Sequence, residues 1–329
     1  MITQRIKTMD GNEAAADVAY AFTEVATIYP ITPSSPMAEH IDVWAAKGRK
    51  NLFGQPVKLV EIGAVHGAAE TGSLCSSFTA SQGLMLMIPV MHRLSGQLKP
   101  VVLHIAARTV GTHTMSIFGD HSDVMGCRNT GFAMLCSASV QECADLAAVA
   151  HLSAIKGHVP FMHFFDGFRT SHEIQKIQML PEEELYKLID QKALYAFKHH
   201  GLNPEHPVMR STVTNPDMFF QSKEASNIWY DRLPYIVQEY MDAISKLTGR
   251  PYHLFDYYGA PDATHVVIAM GSVTGAIQET IDALTAKGEK VGYIQVHLYR
   301  PFSLDHFLEA LPDTVETITV MDRTKEPGA

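Results

Sequence analysis

Six short apolar runs separated by segments of helical composition fill the first 170 residues, and this alternation limits the possible folds more than any other feature. They are VATIYPI (25–31), VKLVE (57–61), FTAS (78–81), VVLHIAAR (101–108), FAMLCSAS (132–139) and VPFMHFFDG (159–167). Short runs rich in apolar and β-branched residues predict strands buried on both faces. Between them, GAVHGAAETGSLCSS, QGLMLMIPVMHRLSGQL and VQECADLAAVAHLSAIKG predict helices. The third carries acids early and Lys156 and Gly157 late, as a helix dipole and C-cap favour. Strand, helix, strand at this spacing implies right-handed crossovers, so the predicted fold class is α/β with a doubly wound parallel sheet.

From Glu173 to about Gly249 the pattern changes to two long helical segments, PEEELYKLIDQKALYAFKHHG and ASNIWYDRLPYIVQEYMDAISKLTG, which read as a covering extension. After DYYGAPDA a second α/β unit follows: HVVIAMGS, GAIQETIDALTAKG, KVGYIQVHLY, SLDHFLEAL and ETITVMD as strand, helix, strand, helix, strand. The expected division is a first domain over 1–257, with its helical extension at about 173–250, and a second over 258–329. The second has too few units for an α/β domain of ordinary size and is expected to be truncated.

The 329 residues are 46% hydrophobic, enough for a sizeable core, and the net charge of −9 comes without the basic stripe that a nucleic acid backbone needs. Asp10 and Glu13 fall where a signal peptide would need its apolar core, and GLMLMIPVM is too short to span a bilayer, so the chain reads as cytoplasmic, with neither a membrane nor a nucleic acid as partner. Cys75, Cys127, Cys136 and Cys143 form no C-x-x-C pair and read as reduced core thiols.

Ligands of open parallel sheets bind beyond the carboxyl ends of the strands. At those ends lie Thr32, Ser34 and Ser35; Glu61; Thr79, Ser81 and Gln82; Arg108; and Asp166, Arg169 and Thr170. Prolines 30, 33 and 36 stiffen IYPITPSSP, so that Thr32 and its neighbours either face a cleft with little ordering entropy left to lose or cap the next helix. Arg108 ends an otherwise apolar strand; its guanidinium either grips a planar carboxylate or pairs with Asp120 or Asp123. Glu61 ends a buried-looking strand and is either a partly desolvated acid suited to proton work or an ordinary acid at a helix start.

The stretches DGNEAAADVAYAFTEVATIYPITPSSPMAEHIDVWAAKGRKNLFGQ, FTASQGLMLMIP, SIFGDHSDVMGCRNTGFAMLCSASVQE, VPFMHFFDGFRTSHEIQKI and LTGRPYHLFDYYGAPDA together resemble the amino-terminal region of pyruvate:ferredoxin (flavodoxin) oxidoreductases. The resemblance implies a thiamine diphosphate-binding fold, with the pyrimidine half in the first domain and the start of a transketolase C-terminal-like domain in the second. It implies an enzyme that decarboxylates pyruvate oxidatively on thiamine diphosphate, passes electrons through iron–sulfur clusters to ferredoxin or flavodoxin, and delivers acetyl to coenzyme A. A homodimer is implied as well. Thr32 and Arg108 fall on the family's pyruvate contacts, and Pro30 and Glu61 on its cofactor-binding segments.

Where the family reads EMQSEAGAAGAVHGA this chain reads LVEIGAVHGA, so Glu61 is either the thiamine glutamate moved inward or an earlier acid of the motif. The chain has no GDG motif for magnesium and diphosphate and no Cys-rich ferredoxin motif; Mg2+ and the 4Fe-4S clusters are expected on further domains of the same enzyme, and the chain alone is expected to be inactive. Two other classes stay open. One is a non-catalytic relative that binds a partner chain; the other is a metal-dependent hydrolase built on His113, Asp120, His121 and Asp123.

Overall fold

The computed structural model describes residues 5–210 and 212–328. Its strands in chain order are β1 (Ile6–Met9), β2 (Val25–Ile28), β3 (Lys58–Glu61), β4 (Cys75–Thr79), β5 (Val102–Ala107), β6 (Ala133–Ser137), β7 (Phe161–Asp166), β8 (Gln175–Gln178), β9 (Phe255–Gly259), β10 (His265–Ala269), β11 (Val291–Val296), β12 (Leu298–Arg300) and β13 (Thr317–Val320). A seven-stranded sheet in the order β12-β6-β7-β5-β4-β2-β3 forms the first unit, parallel except for β12. A four-stranded sheet, β13-β10-β11-β9, forms the second, with β9 antiparallel at its edge. β1 and β8 make a separate antiparallel pair.

Every residue of β4, β5, β6 and β7 is buried, as expected for strands covered on both faces by crossover helices. Helices Gly11–Phe22 and Val140–Gly157 pack together against this sheet, and their alanines at 14, 15, 16, 19, 144, 147, 148 and 150 are all buried, which lets the two backbones approach closely. Both helices are capped: the Asp10 carboxylate accepts from Glu13 N–H at 2.8 Å and the Ser139 hydroxyl from Glu142 N–H at 3.2 Å. Helix Asn227–Thr248 packs on Val140–Gly157 from outside.

Some expectations are corrected. VKLVE is a strand at the edge of the sheet, and Lys58, Val60 and Glu61 are exposed, because β3 has one neighbour and not two. GAVHGAAETGSLCSS is helical only over Val65–Glu70 and already runs into β4 at Cys75. Gly157 is the last helical residue, and His158 takes the left-handed cap conformation. The first segment of the helical extension divides into Glu182–Leu188 and Gln191–His199, because Asp190 caps a new helix by accepting from Ala193 N–H at 2.9 Å. KVGYIQVHLY is two strands, β11 in the second sheet and β12 at the edge of the first, divided at His297.

Candidate functional site

The carboxyl ends of β2, β3, β4, β5 and β7 form one edge of the large sheet, and the registers set their terminal residues side by side: Ile28 beside Glu61 and Phe78, Ala107 beside Asp166. Arg108 follows β5 directly and is 4% exposed. Its Nη1 donates to the Thr32 carbonyl at 2.7 Å and its Nη2 to Gln82 Oε1 at 3.3 Å. Asp123 does not pair with the guanidinium; its Oδ2 accepts from the Arg108 backbone N–H at 3.1 Å and from Ser81 N–H at 2.8 Å. Asp120 is turned to Ser122 N–H at 2.6 Å. The ion-pair alternative for Arg108 is therefore set aside: among the described residues no carboxylate lies within ion-pair distance of its guanidinium. Burial pulls the Arg108 pKa down and the Asp123 charge opposes this, yet a guanidinium stays charged at neutral pH. A buried cation among neutral acceptors is a costly arrangement that an incoming anion relieves.

Thr32 is exposed, in the turn between β2 and helix Ser35–Ala46, and the Thr32–Pro33 peptide bond is cis. Pro30 is exposed at the exit of β2. Ser34 holds the N-cap position, but its buried hydroxyl donates back to the Ile31 carbonyl at 2.8 Å, so it ties the turn and neither caps the helix nor faces the cleft. Ser35 is the first helical residue and half-buried.

Glu61 is not the desolvated acid its strand suggested. It is exposed at the end of an edge strand, begins a short 3-10 turn at Ile62–Ala64 without capping it, and among the described residues its carboxylate has no hydrogen-bond or ion-pair partner. On β4, the buried Thr79 hydroxyl finds no partner among the described residues either. Ser81 adopts a left-handed backbone, φ 46°, held there by Asp123 and by its own hydroxyl donating to the Thr109 carbonyl at 2.7 Å. Asp123 is fully buried, and burial pushes its carboxyl up to about 6 against the pull of three backbone N–H groups.

Asp166 is also fully buried, at the end of β7, and accepts from His121 Nε2 at 2.6 Å, Ser272 N–H at 2.8 Å and Arg323 Nη1 at 2.6 Å. Burial alone would raise its pKa, but His121, Ser272 and Arg323 outweigh it and hold the carboxyl at about 2. Arg169 is exposed, and Thr170 is buried with its hydroxyl toward the Ala138 carbonyl at 3.4 Å. These partners overturn the metal-hydrolase alternative: His121, Asp120 and Asp123 each serve a different neighbour, His113 sits on an exposed loop, and no group of three ligating side chains converges among the described residues. The four cysteines are buried free thiols; burial pushes Cys75 and Cys127 up to about 12 and Cys136 and Cys143 well above the usual range.

A cleft of about 520 Å³ lined by Phe118, Gly119, Gly167, Phe168 and Arg169 opens beside this edge. A larger one of about 630 Å³, between Lys99, His158, Phe197, Arg210 and Trp229, lies at the other end of the strands, where none of the chemistry-bearing strand ends reaches it. Sequence reasoning missed the second unit's share in the site edge. The phrase MDRTKEPGA contains Arg323, but nothing local to it points to Asp166 or Gly119 as partners.

Residues 17–242 match the family described as pyruvate flavodoxin/ferredoxin oxidoreductase, thiamine diP-bdg, and residues 263–329 match pyruvate:ferredoxin oxidoreductase core domain II. The pyruvate-flavodoxin oxidoreductase of Klebsiella pneumoniae is 60% identical across 99% of this chain, and the pyruvate:ferredoxin oxidoreductase of Moorella thermoacetica is 59% identical across 98%. The chain spans 28% of the length of each. Among solved structures, a 2-oxoglutarate:ferredoxin oxidoreductase from Magnetococcus marinus superposes with a TM-score of 0.69 at 19% identity, covering 98% of this chain and 59% of that one. A Pichia stipitis transketolase gives 0.51 at 12% identity over 98% of this chain and 40% of that one. Both are likenesses of fold.

Proposed function

Since the chain belongs to the pyruvate flavodoxin/ferredoxin oxidoreductase family, we propose that it supplies the 2-oxoacid grip and the pyrimidine side of the thiamine diphosphate site in an enzyme that oxidises pyruvate to acetyl-coenzyme A. The observation that carries this reading is the buried Arg108 guanidinium, held at the sheet's carboxyl edge by the Thr32 carbonyl and Gln82 and lacking a carboxylate partner among the described residues. In this reading the substrate carboxylate takes that place, gripped by the planar fork, with Thr32 exposed beside it. The fixed guanidinium orients a small anion at little further cost in side-chain entropy.

Thiamine diphosphate, when bound, supplies the carbon nucleophile and the electron sink. The residues at this edge fit its pyrimidine half: among the described residues Glu61 offers a carboxylate free of partners beside the end of β2, and the Thr79 hydroxyl, also without a partner among them, and exposed Pro30 border the same edge. Glu61 is the acid we assign to hold the proton at the pyrimidine ring. The resemblance puts Mg2+ and the clusters on the remaining domains of the enzyme and implies coenzyme A, ferredoxin or flavodoxin and a homodimer as partners, and the chain alone is expected to leave pyruvate unchanged.

Line-broadening NMR of pyruvate and of its uncharged isostere pyruvamide against the chain tests the reading. Pyruvate is expected to broaden and pyruvamide not; equal behaviour of the two would remove Arg108 from substrate binding.

A further inference from the structure

We infer that the second α/β unit positions Arg108, through a clamp that Arg323 closes on the loop leaving it. This deepens the reading of Arg108 as the carboxylate grip and rests on it. Residues 109–121, TVGTHTMSIFGDH, connect Arg108 to the helix Ser122–Gly126. No residue from 109 to 120 is buried, Met115 and Phe118 are 70% and 67% exposed, and the Phe118 ring against Phe168, centroids 5.5 Å apart, is a contact at the surface, so the loop buries little apolar area. A segment with few buried contacts opens readily unless polar bonds hold it.

The near end of the loop is held within the first unit, the Ser81 hydroxyl donating to the Thr109 carbonyl at 2.7 Å and Val110 N–H to the Ser122 hydroxyl at 3.1 Å, while two bonds at its far end come from Arg323. Its carbonyl accepts from His121 N–H at 2.9 Å, and its Nε donates to the Gly119 carbonyl at 3.2 Å. Its Nη1 donates to Asp166 at 2.6 Å and to the Ser272 hydroxyl at 3.1 Å. One side chain of the second unit thus binds the far end of the loop, the buried acid that ends β7, and a serine of its own unit. Gly119 is also the antiparallel bridge partner of Arg108, so what fixes Gly119 fixes the backbone from which the guanidinium projects. The fit is close: a Cβ on Gly119 would stand 2.6 Å from the Gly167 carbonyl oxygen, which only glycine avoids. Asp123 holds the other side of Arg108 through its N–H, so the residue is set between two fixed points, one in its own unit and one delivered by the second. A bidentate grip needs placement to within about half an ångström, and an exposed loop without this clamp does not provide it. Arg323 and Ser272 are positioning residues for the site, and the second unit is the device that closes it.

The test uses the whole chain with 15N-labelled arginine, the Arg108 Nε–H signal being identified by its loss in Arg108→Lys. Arg323→Ala removes the side-chain bonds of the clamp to Gly119, Asp166 and Ser272 and leaves the bond from His121 N–H to the residue 323 carbonyl in place. Arg323→Lys keeps a cation on Asp166 but loses the planar fork that reaches Gly119 at the same time. In both variants hydrogen exchange of peptides from 109–121 is expected to rise about tenfold or more while peptides of β4 to β7 stay protected, and the Arg108 signal is expected to broaden or move. Should the alanine variant fail to fold, the lysine variant decides. Unchanged loop exchange and an unchanged Arg108 signal in a folded variant would overturn the clamp. If pyruvate does not bind the unaltered chain, the carboxylate reading fails, while the exchange and arginine signals still decide whether the second unit fixes Arg108.

Discussion

The Arg108 guanidinium donates to the Thr32 carbonyl oxygen at 2.7 Å, so a cation from the end of one strand is fixed to the main chain beyond the end of another without an ion pair. Main-chain acceptors orient a guanidinium without neutralising it, which leaves its charge for a ligand. Arg108→Lys keeps the charge and loses the fork. The chain is expected to melt close to the unaltered temperature, while pyruvate affinity falls by about 1–3 kcal/mol. Calorimetric titration of both proteins checks this.

His297 divides β11 from β12 and is buried where the two sheets meet. Burial alone would lower its pKa, but the Asp256 hydrogen bond at 3.1 Å and the charges of Glu142 and Asp256 outweigh it and raise the imidazole to about 9. The Cys136 carbonyl, Gln295 and the ring of Tyr252 complete its surroundings. A histidine whose folded pKa lies above its ordinary value of 6.5 contributes stability that is fully present below pH 6.5 and lost as pH rises through 9. The shift corresponds to an order of magnitude of about 3 kcal/mol. Melting curves between pH 6 and pH 10 should show this alkaline loss, and His297→Gln should flatten it.

Asp166 has its pKa held at about 2 by His121, Ser272 and Arg323. Its contribution is therefore present above the ordinary carboxylate pKa of 3.8 and lost as pH falls through 2. Asp166→Ala leaves His121 and Arg323 without their shared anion and is expected to cost about 3 kcal/mol or more in urea unfolding.

Glu61→Gln should do the opposite: an exposed carboxylate without partners among the described residues carries little stability, so unfolding is expected to change by less than about 0.5 kcal/mol. Thiamine diphosphate affinity, measured by calorimetry in the same variant, is expected to fall if Glu61 holds the pyrimidine.

Much of the large sheet was legible because β4 to β7 are buried on both faces, and a continuous apolar run is what such burial demands. β3 misled for a topological reason: VKLVE has strand composition, but only the strand order shows that it lies at an edge, and Glu61 is exposed for that reason. KVGYIQVHLY read as one strand because both of its halves are mostly buried; the division falls at a histidine held by acids from elsewhere in the chain. The helix Pro216–Glu224 did carry a local signal, Asn215 followed by Pro216 and Asp217, which suits a helix start, yet it buries no residue and so shows no apolar periodicity. At the site, Arg108 stood out as a charge ending an apolar strand. Its neutral acceptors and the Asp123 carboxylate bound to its backbone arise from tertiary packing, which no spacing along the chain encodes.

The most direct measurement is a cycle on the full chain: affinity for pyruvate and for pyruvamide, each with the unaltered protein and with Arg108→Lys. If the buried guanidinium grips the carboxylate, the substitution weakens pyruvate binding about tenfold or more and leaves the weak pyruvamide binding unchanged, a coupling of about 1.4 kcal/mol or more. Parallel losses for both ligands, or none for either, would contradict the account.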